Sequence, residues 1–252
     1  YRSARIGLLL GLLYGVGTLA WPYSRFFFSE PLFTAALVLA AFLIWQGRPL
    51  LAGLAFGYAL LTRVGGLVLL PAFVAYLWLT TSEERGSRMN ARASRSSMLD
   101  PRSSILGARA WHVLLTCIWF GLGIAPFGLA MVGYNWVRFR SLAERGYAGE
   151  GFTGNLLEGL YGLLLSPGKS VFLYVPLLLA LPWAIKPFAR RFRAEATLAG
   201  MLAAITLAQS ALWWIWWAGW GWGPRFLVPL MPFLVLMLGV LVEKKKKNQE
   251  PA

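Results

Sequence analysis

A chain of 252 residues with 58% hydrophobic and only 13% charged residues is too apolar for an ordinary soluble domain of that length, and a membrane protein is expected. The net charge of +14 does not argue for a nucleic-acid partner, because the basic residues sit in short clusters between apolar runs, as topology signals do. One cysteine, Cys117, and one histidine, His112, exclude a disulfide framework and a Cys/His metal site.

Nothing before Ile6 has the basic region and cleavage site of a signal peptide, and the chain starts at Tyr1, so a further piece of the protein is expected ahead of it. Ile6 to Ala20 is an apolar run behind Arg2 and Arg5. It is expected to leave the cytoplasm and to bring Tyr23 to Glu30 to the outer face. In WPYSRFFFSEPL, Trp21 to Leu32, Arg25 and Glu30 stand between two apolar runs. Ionisable groups at such a junction are costly against lipid, which points to a bundle interior or an aqueous cavity. The competing reading is an interfacial anchor, with Trp21, Tyr23 and Arg25 at headgroup level. Pro31 suits the first turn of a returning helix. Leu32 to Trp45 then brings the chain back to an inner turn at Gln46, Gly47 and Arg48.

Leu50 to Leu79 is too long for one untilted span and is interrupted by Thr62, Arg63, Gly65 and Gly66. The following segment, Thr80 to Arg109, carries six arginines against Glu83, Glu84 and Asp100, so it is expected to be cytoplasmic. Both ends of Leu50 to Leu79 then lie inside, and the stretch reads as a hairpin of two short helices with Arg63 at its tip. Such broken helices line protein or water rather than lipid. One long tilted helix with a snorkelling Arg63 is the alternative. Residues 80–109, rich in Ser and Arg, are expected to be a flexible basic loop, a topology signal first and a phosphorylation or anionic-lipid segment second.

Trp111 to Tyr134 is expected to cross outward, and residues 135–169 to form the longest outer loop, with an amphipathic patch near Leu156 to Leu165 suited to a membrane surface. Within it, Ser166 to Ser170 reads SPGKS. A phosphate-binding loop would need glycine at 163, where the chain has Leu163, so a nucleotide site is rejected. The turn starts the next helix, with Lys169 available to meet an anion at its N-terminus. Val171 to Ile185 returns inward to Lys186, Arg190, Arg191 and Arg193. Ala194 to Trp217 goes out to a tryptophan belt, and Phe226 to Val242 ends on Lys244 to Lys247. Every basic cluster falls on one side, giving an all-α, polytopic bundle in a single domain, 1–252.

This topology collects Tyr23, Arg25, Glu30, Tyr134, Asn135, Arg138, Lys169 and Arg225 near one membrane surface, with Arg63 approaching from the hairpin tip. Guanidinium forks and a lysine around a membrane-level cavity suit a phosphate or diphosphate. Each residue taken alone also reads as a helix-end anchor or cap. Sugar transfer would further need a carboxylate base, and Glu30 is the acid at an outer helix junction.

Five segments, in order, carry a resemblance: TLAWPYSRFFFSEPLFTAALVLAAFL, GLAFGYALLTRVGGLVLLP, YNWVRFRSLAERGY, LLLSPGKSVFLYVPLLLALPW and GWGPRFLVPLMPF. Together the chain resembles the bacterial integral-membrane glycosyltransferases of the GT-C fold. That group includes protein mannosyltransferases, lipid A arabinosyltransferases and lipopolysaccharide-core transferases. The resemblance implies transfer of a sugar from a polyprenyl-phosphate donor to a lipid, glycan or protein acceptor on the outer face of the bacterial cytoplasmic membrane. It implies a main catalytic acid in a first outer loop ahead of Tyr1, and a secondary acidic role for Glu30, orienting the acceptor or holding a divalent cation such as Mg or Mn. Arg63 and Arg225 would neighbour the donor phosphate. RFRSLAERGY departs from the pattern, with Arg140 where a small residue is expected. A transporter or flippase for lipid-linked sugars is the alternative from another class; it needs the same anion site and no base.

Overall fold

The computed structural model describes residues 3–93, 102–142 and 150–247, and among these it is helical, with no strand. Among the described residues four helices are long and apolar enough to cross a membrane: Val64–Ser82, Ala110–Phe139, Arg193–Leu212 and Arg225–Glu243. The chain divides into two compact units, where the sequence suggests one domain: residues 1–35 with 143–252, and residues 36–142.

In the first unit, α1 (Ala4–Gly17) leads through a single turn, α2 (Ala20–Tyr23), to the first residues of α3 (Glu30–Trp45). After α7 (Leu156–Leu164), the expected return from Val171 is not one helix but three pieces: α8 (Val171–Tyr174), a 3-10 stretch (Pro176–Ala180) and α9 (Leu181–Arg191). Pro176 and Pro182 cause the breaks, since proline cannot donate to the carbonyl a turn earlier. The pieces nevertheless run from one end of the Met231–Lys247 helix to the other. At one end the Tyr174 ring lies 5.4 Å from that of Trp222, and at the other Arg191 pairs with Glu243. α10 (Arg193–Leu212) and the Arg225–Leu230 3-10 turn that leads into α11 (Met231–Lys247) complete the unit. Twenty residues of α10 span about 30 Å, the thickness of a bilayer core.

The unit therefore has two chemically distinct ends. Arg5, Lys186, Arg190, Arg191, Arg193 and Lys244 to Lys247 fall at one. The other carries the tryptophan-rich turn. Ile6 and Leu10 of α1 pack on Val235 of α11, with Leu177 and Val242 against them, so α1 too starts at the basic end.

In the second unit, α4 (Pro49–Thr62) ends at Arg63, a 3-10 stretch covers Val64–Leu69, and α5 (Leu70–Ala93) follows. The rings of Phe56 and Phe73 are 4.9 Å apart. A straight helix would separate them by about 25 Å, so the chain folds back at the Arg63 break, as expected for the hairpin. α4 lies along α6 (Arg102–Phe139) with almost no side chain between the two backbones. A Cβ at Gly53 would stand 2.0 Å from the Phe120 carbonyl oxygen, and one at Gly123 would stand 2.3 Å from that of Leu50. Gly53 and Gly57 form the small-x-x-x-small spacing that lets apolar helices approach closely.

Two boundaries differ from the sequence reading. Residues 80–109 are helical through Ala93 and again from Arg102, rather than a flexible loop; residues 94–101 lie outside the described set. The long outer segment likewise begins later than 135, because α6 continues to Phe139. It stops at Arg140, whose φ of 54° is the left-handed conformation that glycine adopts more cheaply. The small residue missing after RF is missing where the backbone calls for one.

Candidate functional site: the tryptophan-lined cavity

Glu30 is the first residue of α3 and is 3% exposed. Its carboxylate sits at a helix N-terminus, where the backbone dipole favours negative charge, and Thr34 Oγ1 donates to its carbonyl oxygen at 2.6 Å. Oε1 lies 3.1 Å from Nε of Arg225. The partner of the buried acid is thus an arginine 195 positions on, and not Arg25, which is exposed on the turn after α2.

Arg225 is held from three directions. Its guanidinium carbon stands 4.8 Å from the Phe28 ring centroid and 5.3 Å from that of Phe226, within the range of cation–π attraction. The Phe28 ring in turn packs on Tyr23 and Phe26, at 5.7 and 6.1 Å.

Tyr23 is fully buried, and its hydroxyl donates to the Trp222 carbonyl at 2.8 Å. Burial pushes the phenol up to about 12; Arg225 opposes the rise and Glu30 adds to it. An unfolded tyrosine ionises near 10. Between these values the unfolded chain is ionised and the folded one is not, so the unfolded chain binds fewer protons. The contribution is present below pH ~10 and is lost as pH rises towards 12. A spectrophotometric titration is expected to show one phenol in the parent, absent from Tyr23→Phe, that ionises about two units late. If the two titrations coincide, Tyr23 is not buried as described.

The turn from Trp217 to Gly223 places Ala218, Gly219 and Gly223 at positive φ, near 60°. Gly223 must be glycine on a second ground: a Cβ there would meet the Tyr174 ring at 2.8 Å. The resulting backbone aims three carbonyls at one point. Lys169 fills it, its Nζ donating to Gly219, Gly221 and Gly223 at 3.2, 2.6 and 3.3 Å. All three ammonium protons are so directed at backbone carbonyls, whereas the sequence suggests that Lys169 meets an anion. Burial, and then Arg225, lowers its pKa. Ser166 accepts from the Lys169 amide at 3.1 Å, so SPGKS is a turn that delivers the lysine to the carbonyls.

Beside this turn opens a cavity of about 490 Å³. Phe26, Phe28, Trp213, Trp214, Trp220 and Trp222 are among its lining residues, with Arg225 and Glu150 as its charged ones. α7 supports it. Asn155 caps that helix through the Leu157 and Glu158 amides, the Gly154 amide donates to the Leu212 carbonyl at 2.9 Å, and Trp216 Nε1 donates to Glu158 at 3.3 Å.

The structure thus brings together Glu30, Arg225, Tyr23 and Lys169 within one unit. Arg63, Tyr134, Asn135 and Arg138 belong to the other. Arg63 caps α4 in an extended conformation. Tyr134 lies in α6 as expected, and Asn135 and Arg138 lie in its last turns rather than on a loop, with Arg138 donating to the Tyr134 hydroxyl and Asn135 Nδ2 to the Leu142 carbonyl at 3.4 Å. Among the described residues no three His, Cys, Asp or Glu side chains cluster. One carboxylate beside a guanidinium does not fit a divalent cation, which would have to displace the arginine. Sequence reasoning missed Glu150 as a cavity residue, and it missed the phenylalanines that box Arg225.

No family model matches the chain, and no curated protein or solved structure matches it.

Proposed function

We propose that the chain is a multi-pass membrane glycosyltransferase of GT-C type. It would move a sugar from a polyprenyl-phosphate donor to a lipid, glycan or protein acceptor at the outer face of the bacterial cytoplasmic membrane. One observation carries the reading: Arg225, paired behind the wall with the buried Glu30, lines an aromatic cavity at the end of the unit opposite its basic clusters. By the positive-inside tendency the basic end is cytoplasmic, and the cavity opens on the other side.

In this reading an acceptor hydroxyl attacks the anomeric carbon as the bond from that carbon to the phosphate oxygen breaks, inverting the centre and releasing the lipid phosphate, which takes up the hydroxyl proton. Arg225 meets the charge that develops on that phosphate. Glu30 is then a positioning residue, which sets the plane of the guanidinium, and not the base. The tryptophan faces give the sugar ring a surface to stack on.

The pairing of Glu30 favours the second reading, a flippase for lipid-linked sugars, to the extent that no described acid is assigned as base. The test is the full-length protein in vesicles with labelled polyprenyl-phosphate sugars. Transfer is expected, falling about a hundredfold in Arg225→Lys, which keeps the charge and loses the fork, and less in Glu30→Gln. Movement of the donor across the bilayer without transfer would replace this reading with the second.

A further inference from the structure

We infer that the exposed face of α9 docks the headgroup of an anionic phospholipid, in the membrane leaflet at the basic end of the first unit. The inference rests on the chain lying in a membrane and not on the transfer reading.

α9 has two faces. Ala184 and Phe188, one turn apart, are buried, and their burial fixes which way the helix is turned. Trp183, Lys186 and Arg190 follow at spacings of three and four, so they stand in one row along the opposite side. All three are exposed, Trp183 by 71%. The neighbouring Arg191 is turned about 100° from Arg190 and pairs with Glu243. Among the described residues no carboxylate pairs with Lys186 or Arg190.

A charge that only marked one side of the membrane would need to be at that end, and would need no alignment with its neighbours. The row has three properties that a lipid answers. Two cations four residues apart repel each other, and a phosphate between them turns the repulsion into two attractions, with a point charge from the lysine and a planar fork from the arginine. Lys186 stands about 7 Å before Arg191 along the helix. A lysine at that depth keeps its stem along apolar surface and its ammonium at headgroup level, which is where a lipid phosphate lies. Trp183 is one turn deeper again and offers an aromatic surface to the glycerol and acyl part of the same molecule. Inorganic phosphate would use the two cations and leave the ring idle. A zwitterionic lipid would bring an ammonium of its own to the same two cations. A phospholipid of net negative charge uses the whole row.

The test is thermal unfolding of the purified full chain in uncharged detergent micelles, with phosphatidylglycerol or phosphatidylcholine of the same acyl chains added at rising mole fraction. Phosphatidylglycerol is expected to raise the midpoint saturably and phosphatidylcholine to leave it in place. Lys186→Gln/Arg190→Gln is expected to raise the half-saturating mole fraction about thirtyfold, at about fivefold for each basic residue. Arg25→Gln/Arg48→Gln removes as much charge from exposed positions elsewhere and should bind like the parent. Without lipid both variants are expected to unfold with the parent, since all four side chains are exposed. A second measurement does not depend on unfolding. Phosphatidylglycerol brominated in its chains should quench the fluorescence of Trp183, read as the difference between parent and Trp183→Phe, more strongly than brominated phosphatidylcholine does. An equal response to the two lipids in both measurements overturns the inference, and equal weakening in the two double variants reduces it to net charge. Protection by glycerol phosphate at the same concentrations would assign the row to a soluble anion instead. None of these readouts involves a sugar donor, so loss of the lipid site leaves the transferase reading standing, and failure to transfer leaves the lipid site.

Discussion

Arg225→Met is expected to lower stability by about 3–5 kcal/mol, the range for removing one partner of a buried ion pair. The glutamate is nearly sealed from solvent and the arginine side chain is only 24% exposed, so water cannot replace the lost guanidinium. Glu30 would then be left as an uncompensated buried charge. The double variant Glu30→Gln/Arg225→Met removes both charges and is expected to regain most of the loss, because a neutral pair of similar volume carries no charge to desolvate. Arg25→Met, an exposed site, should stay within about 0.5 kcal/mol of the parent. Denaturant unfolding in detergent micelles, followed by tryptophan fluorescence, measures all three. If Arg225→Met unfolds with the parent, the pair does not exist as described. If the double variant is as unstable as the single, the packing of Arg225 between Phe28 and Phe226 matters more than its charge.

Gly53→Leu is expected to cost about 3 kcal/mol, at the upper end of overpacking, and to act on the other unit. The first atom of any side chain at this position would overlap the Phe120 carbonyl, which belongs to a helix backbone and has no rotamer to change. α4 and α6 must therefore move apart, and Phe56, wholly buried against Phe73 and Phe120, loses its neighbours. Gly121→Ala and Gly128→Ala lie on the same α6, and a Cβ at either meets nothing within 4 Å. They are expected to be neutral or slightly stabilising, since alanine is the better helix former. Proteolysis of the micelle-bound protein would report the separation as new cleavage within residues 49–69. An unchanged pattern in Gly53→Leu would show that the two backbones do not cross so closely.

Much of the architecture was legible in the chain before any contact was known. Apolar runs of 15–30 residues separated by arginine clusters specify helices and their direction, because each run must hide its backbone polar groups within itself. The break at Arg63 and the amphipathic α7 were readable for the same kind of local reason. The helical backbone of residues 80–93 and 102–109 was not. Serine and arginine there give a composition that suits solvent in either conformation. The stretch from Val171 was readable as helical but not as three pieces, although its prolines marked the places.

The candidate site was legible only in part. Glu30 declared itself alone, as an acid at the start of an apolar helix, and Arg225 by its position after a glycine-rich turn. That these two meet, and that Lys169 is spent on carbonyls, depends on contacts across 195 and about 50 residues. Composition and periodicity thus determined that this protein is helical and apolar, with basic clusters between its apolar runs, since those follow from what each segment does with its own backbone and side chains. Only the tertiary structure decided which charge answers which, because a guanidinium or an ammonium takes the first acceptor that folding brings within about 3 Å, and no local pattern records that distance.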